Sequence, residues 1–391
     1  MTSRKRTRIR PLIAFLLAFG LIAAACSSGD DATEPTKDTA STPTTAATGS
    51  TEPSAAVSGR CGDPARLGDS INFLNWADYI DEAVLEQFEE ECGVSVTMET
   101  HTANEEAIAK IQAGNSGFSL VIVTDYAVGI MRSQDLLQPL DLTEIPNAKN
   151  LDPAQMDLYY DPGNVYSLPY QYSTTGIAYD ETAFEAPPTS WSALYGDNQY
   201  CGQSSLLEDQ RETVGSALLY LGYGINETDP AAHEQALNAL LEAKDCISAF
   251  DSANFIGNLA SGEVLIAESW GFAAGIAYLD NPNIRYVIPE EGGFIWQDNF
   301  VIPADAPDPY TAHVFTNYML EPDIGALITE YTFGYTPNAL VPPLLSGDYN
   351  DVIETVGLTL TDEIRDRLDY TVRDDEHAIF AKTWSDVMAG G

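Results

Sequence analysis

The chain has 391 residues, 45% of them hydrophobic, with 59 acidic against 18 basic side chains, a length that suits two domains and a sizeable core. Its formal net charge of −41 argues against nucleic acid and anionic membrane surfaces as partners, because both call for a basic face. The same surplus favours a small cation, although salt screens exposed charges beyond about 10 Å at 0.1 M.

Arg4, Lys5, Arg6, Arg8 and Arg10 precede an apolar stretch from Leu12 to Ala25. A basic start followed by a short apolar run reads as a secretory signal and is too short for a comfortable membrane span. Residues 1–25 are therefore expected to be a signal peptide. Ala23-Ala24-Ala25-Cys26, followed by Ser27-Ser28-Gly29-Asp30, resembles a bacterial lipoprotein signal and puts the lipidated terminus at Cys26. Without the leader, 13 basic residues face 59 acidic ones, a net charge of −46. From Ser27 to Gly59 the chain is mostly Ser, Thr, Ala, Pro, Gly and Asp, which cannot bury enough surface to offset the entropy of ordering. Residues 26–60 read as the lipidated cysteine and a flexible tether. The other four cysteines, Cys61, Cys92, Cys201 and Cys246, are an even set in an exported chain, so disulfides are expected with three possible pairings. The favoured one is Cys61–Cys92 with Cys201–Cys246, which keeps each bond within one domain.

Order begins near Cys61. Ile71 to Leu74 reads as a buried strand, broken at Asn75, with Trp76, Asp78 and Tyr79 just beyond it and an acidic helix over 81–91. Strand 94–98, helix 104–111 and the apolar strand Ser119–Val123 follow, the last ending in Thr124-Asp125-Tyr126. This is β-α-β alternation, and the fold class is α/β. In open α/β sheets, ligands bind beyond the carboxyl ends of the strands. Strands are expected at 166–170, 175–179, 264–267 and 284–288. Helices are expected at 212–222, 229–250, 308–321 and 324–331, with a helical segment from Asp362 to Gly391.

Five stretches, in order, carry a family resemblance: Asn75-Trp76-Ala77-Asp78-Tyr79, Leu207-Glu208-Asp209-Gln210-Arg211-Glu212, Glu268-Ser269-Trp270, Gly293-Phe294-Ile295-Trp296-Gln297-Asp298 and Gly334-Tyr335-Thr336-Pro337-Asn338. From about Ile71 to Gly390 the chain resembles the extracytoplasmic polyamine (spermidine/putrescine)-binding proteins of ABC importers. That resemblance implies a two-lobe periplasmic-binding-protein fold of type II with the ligand in the cleft. One lobe would take 67–174 and 297–345, the other 175–296 and 346–391, with hinges at Tyr172–Thr175 and Trp296–Asp298. By motif, the ligand contacts would be Trp76, Asp78, Tyr79, Thr124, Tyr126, Asp209, Glu212, Trp270, Trp296, Asp298 and Tyr335. Ala77 stands where the family carries a threonine. The chemistry suits the ligand, since an ammonium leaving water needs a carboxylate and hydrogen bonds, and aromatic faces add cation–π attraction.

The resemblance further implies a two-subunit permease with a cytoplasmic ATPase as partner, a monomer lipid-anchored at the outer face of the cytoplasmic membrane, no cofactor and no catalytic residue. Three other readings compete. Asp209 and Glu212 could be a glycosidase pair, but no nucleophile elbow or metal motif accompanies them. The same scaffold could hold another organic cation, or iron through Tyr331 and Tyr335. The four histidines, His101, His233, His313 and His377, are scattered and read as surface or helix residues.

Overall fold

The computed structural model describes residues 57–196, 198–372 and 378–390. The expected signal peptide, Cys26 and nearly all of the tether lie outside the described residues, as does His377. Arg60 is already engaged, its guanidinium donating to both carboxylate oxygens of Asp323 at 2.8 Å.

The strands are β1 (Ser70–Trp76), β2 (Ser95–His101), β3 (Leu120–Thr124), β4 (Ser167–Asp180), β5 (Ser204–Leu206), β6 (Ala249–Phe250), β7 (Ile266–Trp270), β8 (Ile284–Val287), β9 (Gly293–Val301) and β10 (Leu368–Asp369). They form one path, β2-β1-β3-β9-β4-β7-β5-β6, with β8 beside β4 and β10 beside β9. The flanks are parallel, β1 with β2 and β3, and β5 with β6 and β7. The middle is antiparallel: β9 lies against β3, and β4 lies against β9 and β7. Parallel strands joined through helices produce the first arrangement; the two long central strands impose the second.

Period-two alternation sorts the core onto opposite sheet faces. At one end, Phe73, Ile122 and Phe300 pack with Phe88, Phe315 and Tyr318. Their neighbours Leu74, Val121, Val123 and Val301 pack on the other face with Ile108 and Ile111. At the other end, Ile177, Ile266 and Phe294 join Leu218, Leu240 and Phe380, while Ala178, Ala267 and Tyr286 join Leu207, Val356 and Leu358. Each end of the sheet thus has its own pair of apolar layers, and β4 and β9 supply residues to both ends.

The strands expected at 166–170 and 175–179 are one buried strand of 14 residues. Residues 171–174 separated the two expected strands, but they pair with β9 through the main chain; side-chain hydroxyls here are bonded as well, with Thr174 Oγ1 3.0 Å from the Tyr286 hydroxyl and Thr175 Oγ1 accepting from Trp296 Nε1 at 3.1 Å. A register shift between Pro169 and Gln171 accommodates a proline that has no N–H to give. The helical segment expected over 362–391 is also interrupted. After one turn at Asp362–Arg365, β10 pairs with β9 and the Arg367 carbonyl accepts from Gly293 N at 3.1 Å; a helix resumes at Ala378–Ala389.

A disulfide joins Cys61 to Cys92. The expected Cys201–Cys246 bond is not formed. Cys201 is exposed, and the two segments meet through the main chain, where Gly202 N donates to the Cys246 carbonyl at 2.6 Å. Cys61 and Cys92 are 31 residues apart, so replacing both by serine should lower unfolding stability by roughly 3–4 kcal/mol in the chain-entropy account. Denaturant titration of the double variant checks this, and an unchanged midpoint would mean that the local fold already restrains this loop.

Candidate functional site

The end of β3 meets β9, with β1 on the far side of β3. Register pairing sets Thr124 opposite Asp298, and the Thr124 hydroxyl donates to Asp298 Oδ1 at 2.8 Å. Asn104 holds the threonine in place, giving Nδ2–H to Thr124 Oγ1 at 3.0 Å and accepting from Thr124 N at 3.0 Å. The same amide donates to the Tyr126 hydroxyl at 2.9 Å. Between Thr124 and Tyr126, Asp125 is buried and acts structurally: it accepts from Tyr126 N at 2.6 Å and from Gln297 N at 3.1 Å, tying the end of β3 to β9.

Trp76 lies against the His101 ring, with centroids 4.1 Å apart. Tyr79 is buried, its ring 5.6 Å from Tyr170 and its carbonyl held by the Tyr170 hydroxyl at 2.7 Å. The Tyr79 hydroxyl and Trp76 indole N–H are turned towards Asp298, yet neither closes a hydrogen bond. Two buried donors thus stand beside one carboxylate with capacity left over. Asp78 does not join them. It is exposed in a left-handed turn with φ 54°, a conformation that Asp tolerates better than most residues.

On the other side, Asp209 caps the helix Gln210–Tyr220, its Oδ1 accepting from Arg211 N at 2.7 Å and Glu212 N at 3.1 Å. A short polar side chain at this position satisfies orphan N–H groups; here it also turns Glu212 in the first helical turn towards β7. Glu212 accepts from Trp270 Nε1 at 3.0 Å. Trp296 is buried and bonded to Thr175. Tyr335 crosses between segments: its main chain pairs with Tyr172 at 2.8 and 3.0 Å, its ring lies 5.2 Å from that of Tyr172, and its hydroxyl donates to the Leu358 carbonyl at 2.6 Å. That bond occupies the phenol which the iron reading needs as a ligand, and among the described residues no His, Cys, Asp and Glu cluster suits a metal.

Three groups near the site escaped sequence reasoning. Phe272 packs against Tyr79, Trp270 and Trp296; the only signal was an aromatic two places after Trp270. Asn104 looked like an ordinary helix opener. Glu268 appeared only as part of a motif, although a glutamate in the strand Ile266-Ala267-Glu268-Ser269-Trp270 is out of place in a buried run. It is fully buried, accepting from Leu207 N at 3.1 Å and Thr213 Oγ1 at 2.8 Å.

These carboxyls are costly to ionise. Burial pushes Asp298 up to about 6, against the opposing hydrogen bond from Thr124. Burial raises Glu212 well above the usual range, with the neighbouring Asp209 and Glu268 charges adding to the effect. Burial likewise lifts Glu268 to about 7. Among the described residues, neither Asp298 nor Glu212 has a basic partner. Outside them lies a cavity of about 240 Å3, lined from both ends of the sheet by Trp76, Asn104 and Tyr126 facing Glu208, Asp209 and Trp270. Asp298, Glu212, Thr124, Tyr126, Trp76, Tyr79, Asp209, Trp270 and Trp296 are thus brought around one region, Tyr335 braces it, and Asp78 stays outside.

Comparison with known proteins matches residues 83–350 to the family of bacterial extracellular solute-binding proteins. The spermidine/putrescine-binding periplasmic protein of Escherichia coli is 36% identical over 281 residues, covering 71% of this chain and 80% of that one. The crystal structure of a spermidine/putrescine ABC transporter substrate-binding protein from Streptococcus pneumoniae superposes with a TM-score of 0.72 at 31% identity, covering 83% of this chain and 98% of that one. A lipoprotein of Treponema pallidum superposes with a TM-score of 0.71 at 25% identity, over 82% and 99%. A two-lobe α/β fold crossed by shared strands, and this extent of similarity, lead to one assignment: the chain belongs to the bacterial extracellular solute-binding protein family.

Proposed function

We propose that the chain captures a polyamine outside the cytoplasmic membrane and delivers it to an ABC importer, with no chemistry done on the ligand. The observation that carries this reading is the pair of buried carboxylates, Asp298 and Glu212, each held by an aromatic or hydroxyl donor and neither matched by a cation among the described residues. A ligand with separated ammonium groups on an apolar chain supplies both charges and places its methylenes against Trp76, Trp270 and Trp296. Desolvated cation–π contacts add about 2 kcal/mol each. The names of the relatives support the same ligand class.

In this reading one lobe comprises 67–174 with 297–345, the other 175–296 with 346–391. Tyr172–Thr175 and Trp296–Asp298 are adjacent in the β4–β9 pairing, so one patch of sheet can flex for both crossings. Periplasmic binding proteins are a known case of hinge closure around a ligand. A lipid at Cys26 would hold the protein at the outer face of the membrane as a monomer, within reach of a permease driven by a cytoplasmic ATPase; similarity to a lipoprotein supports the anchor.

Titration calorimetry with putrescine, spermidine, spermine and Fe3+ tests the reading. Binding of at least one polyamine is expected, and no heat with any polyamine at millimolar concentration overturns it. Asp298→Asn should weaken binding by roughly 2–5 kcal/mol, the cost of leaving a buried ammonium without its counter-charge; unchanged affinity removes Asp298 from the site.

The same substitution should stabilise the ligand-free protein at pH 7. Asp298 titrates at about 6 in the fold against an ordinary 3.8, so the folded state holds the extra proton between those values and stability falls as pH rises through that window. The full penalty, roughly 3 kcal/mol for about two pKa units, is present above pH 6. The difference in melting temperature between Asp298→Asn and the unsubstituted protein should therefore grow from pH 4 to pH 7, and a flat difference contradicts it. Polyamine affinity should fall below pH 6, approaching tenfold per pH unit as Asp298 takes up its proton.

A further inference from the structure

Glu268 is a fully buried carboxyl in the middle of β7, and among the described residues it has no basic partner. Two positions further along the strand, on the same face, Trp270 donates to Glu212. Glu268 itself touches both ends of the segment that carries Asp209 and Glu212: the Leu207 N–H at 3.1 Å and the Thr213 hydroxyl at 2.8 Å. One strand thus holds that acidic segment at two places.

The hydrogens around Glu268 are one short for an ionised carboxylate. The Thr213 hydroxyl has a single hydrogen to give and faces two oxygens, the Leu207 carbonyl at 2.6 Å and Glu268 Oε2 at 2.8 Å. With Glu268 ionised, one of these contacts sets two oxygens together with no hydrogen between them. With a proton on Glu268, its own O–H donates to Thr213 Oγ1, the Thr213 hydrogen goes to Leu207, and both contacts are hydrogen bonds. The other oxygen, Oε1, is buried with no partner, which costs a charged carboxylate far more than a neutral carboxyl.

Among the described residues, the groups around Glu268 supply acids and hydroxyls. Thr213, Ser216 and the Glu212 carboxyl come from the helix Gln210–Tyr220, with Asp209 at its start. The Ser216 hydroxyl is engaged with the Thr213 carbonyl at 3.1 Å and lies 2.7 Å from the hydroxyl of Tyr195, on the helix Ser192–Tyr195. Arg211 points elsewhere, to Asn226 at 2.8 Å and over the Phe380 ring. Neighbouring acids in a low dielectric resist ionising together, and burial pushes Glu268 up to about 7. A cation arriving at Glu212 reverses that balance, because it favours the charged form of each carboxyl beside it.

We propose that Glu268 holds a proton in the ligand-free protein and releases it to solvent when an ammonium group of the ligand settles at Glu212, so that capture is coupled to proton release. The proposal rests on the polyamine reading above and adds a regulation of the same site. Protonated protein and polyamine give the complex and a free proton. A carboxyl protonated in the free state and ionised in the complex makes binding tighter as pH rises, until pH passes its free-state value. That window lies above the one set by Asp298.

Titration calorimetry of the full mature chain at pH 7, in buffers of different ionisation enthalpy, counts the protons released. The ligand is putrescine or spermidine, whichever binds more tightly. A release of about 0.3 proton or more per ligand is expected from a group near half-protonation at that pH. Glu268→Gln, which has the same shape and no acidic proton, should cut the count at least by half. From pH 6 to pH 8 the affinity of the unsubstituted protein relative to Glu268→Gln should grow by about threefold or more, since the slope of affinity against pH is the number of protons released. Circular dichroism checks that the variant is folded; should it unfold, Glu268→Met, of similar length and uncharged, gives the same count. No release from the unsubstituted protein, or release undiminished in a folded variant, overturns the proposal and leaves the polyamine reading standing. Absence of binding by either amine overturns both.

Discussion

The pairing of β4 with β9 carries both ends of the molecule and both ends of the site. Every residue of these two strands is buried, and each feeds apolar residues to the cores at both ends of the sheet. Because their pairing sets Gln171 opposite Asp298 and Ser173 opposite Trp296, the site residues of β9 sit where the strands pass from one end to the other. A carboxylate placed there is within reach of groups from either side. Thr124 meets it from β3 through the adjacent register, and Trp296 reaches back to Thr175 on β4. The Tyr335–Tyr172 bridge adds a third strand-like contact at the same level.

Placing acids at that crossing has a thermodynamic consequence. Burial, with no basic partner among the described residues, makes ionisation unfavourable, and the free protein carries that strain as raised carboxyl pKa values at Asp298, Glu212 and Glu268. Functional sites commonly hold such locally unfavourable arrangements, maintained by the stability of the rest of the fold. The surrounding donors are arranged to lessen the cost without cancelling it: Thr124 and Trp270 each give one hydrogen bond, while Tyr79 and Trp76 keep unsatisfied donors at hand. In the proposed reading, an entering ammonium would complete what the fold leaves incomplete. The large acidic surplus of the surface contributes attraction at long range, but screening confines specificity to these few groups.

Glu268 differs from the two cleft acids. It lies behind Glu212 on β7, hydrogen-bonded to the main chain at Leu207 and to Thr213, with one oxygen unpartnered. Its charge raises the Glu212 pKa further. The three acids Asp209, Glu212 and Glu268 are therefore one coupled electrostatic unit around the start of a helix. The positive end of that helix, favourable to negative charge, is part of what allows them to coexist.

The sequence by itself determined a good deal. Apolar runs and their alternation identified β1, β3 and β8 and the α/β class, because burial on a pleated strand leaves a period that can be read directly; the strand expected at 264–267 lies two residues later, at Ile266–Trp270. The ordered motifs pointed to the residues now found around Asp298 and Glu212, because a cation receptor needs carboxylates and aromatic faces wherever the fold brings them. What the sequence did not reveal depends on neighbours from distant segments. Residues 171–174 separated two expected strands, and only their main-chain pairing with β9 makes the two one. Asp78 shared a motif with Trp76 and Tyr79, yet a left-handed turn faces it to solvent. Cys201 and Cys246 were an even pair whose segments meet by a main-chain bond and not by sulfur. Phe272 had no signal beyond its proximity to Trp270, and only tertiary packing set its ring among three others from two ends of the sheet. Local pattern encodes what a residue does to its own strand or helix; which side chains share a low-dielectric space is decided when the strands are laid side by side.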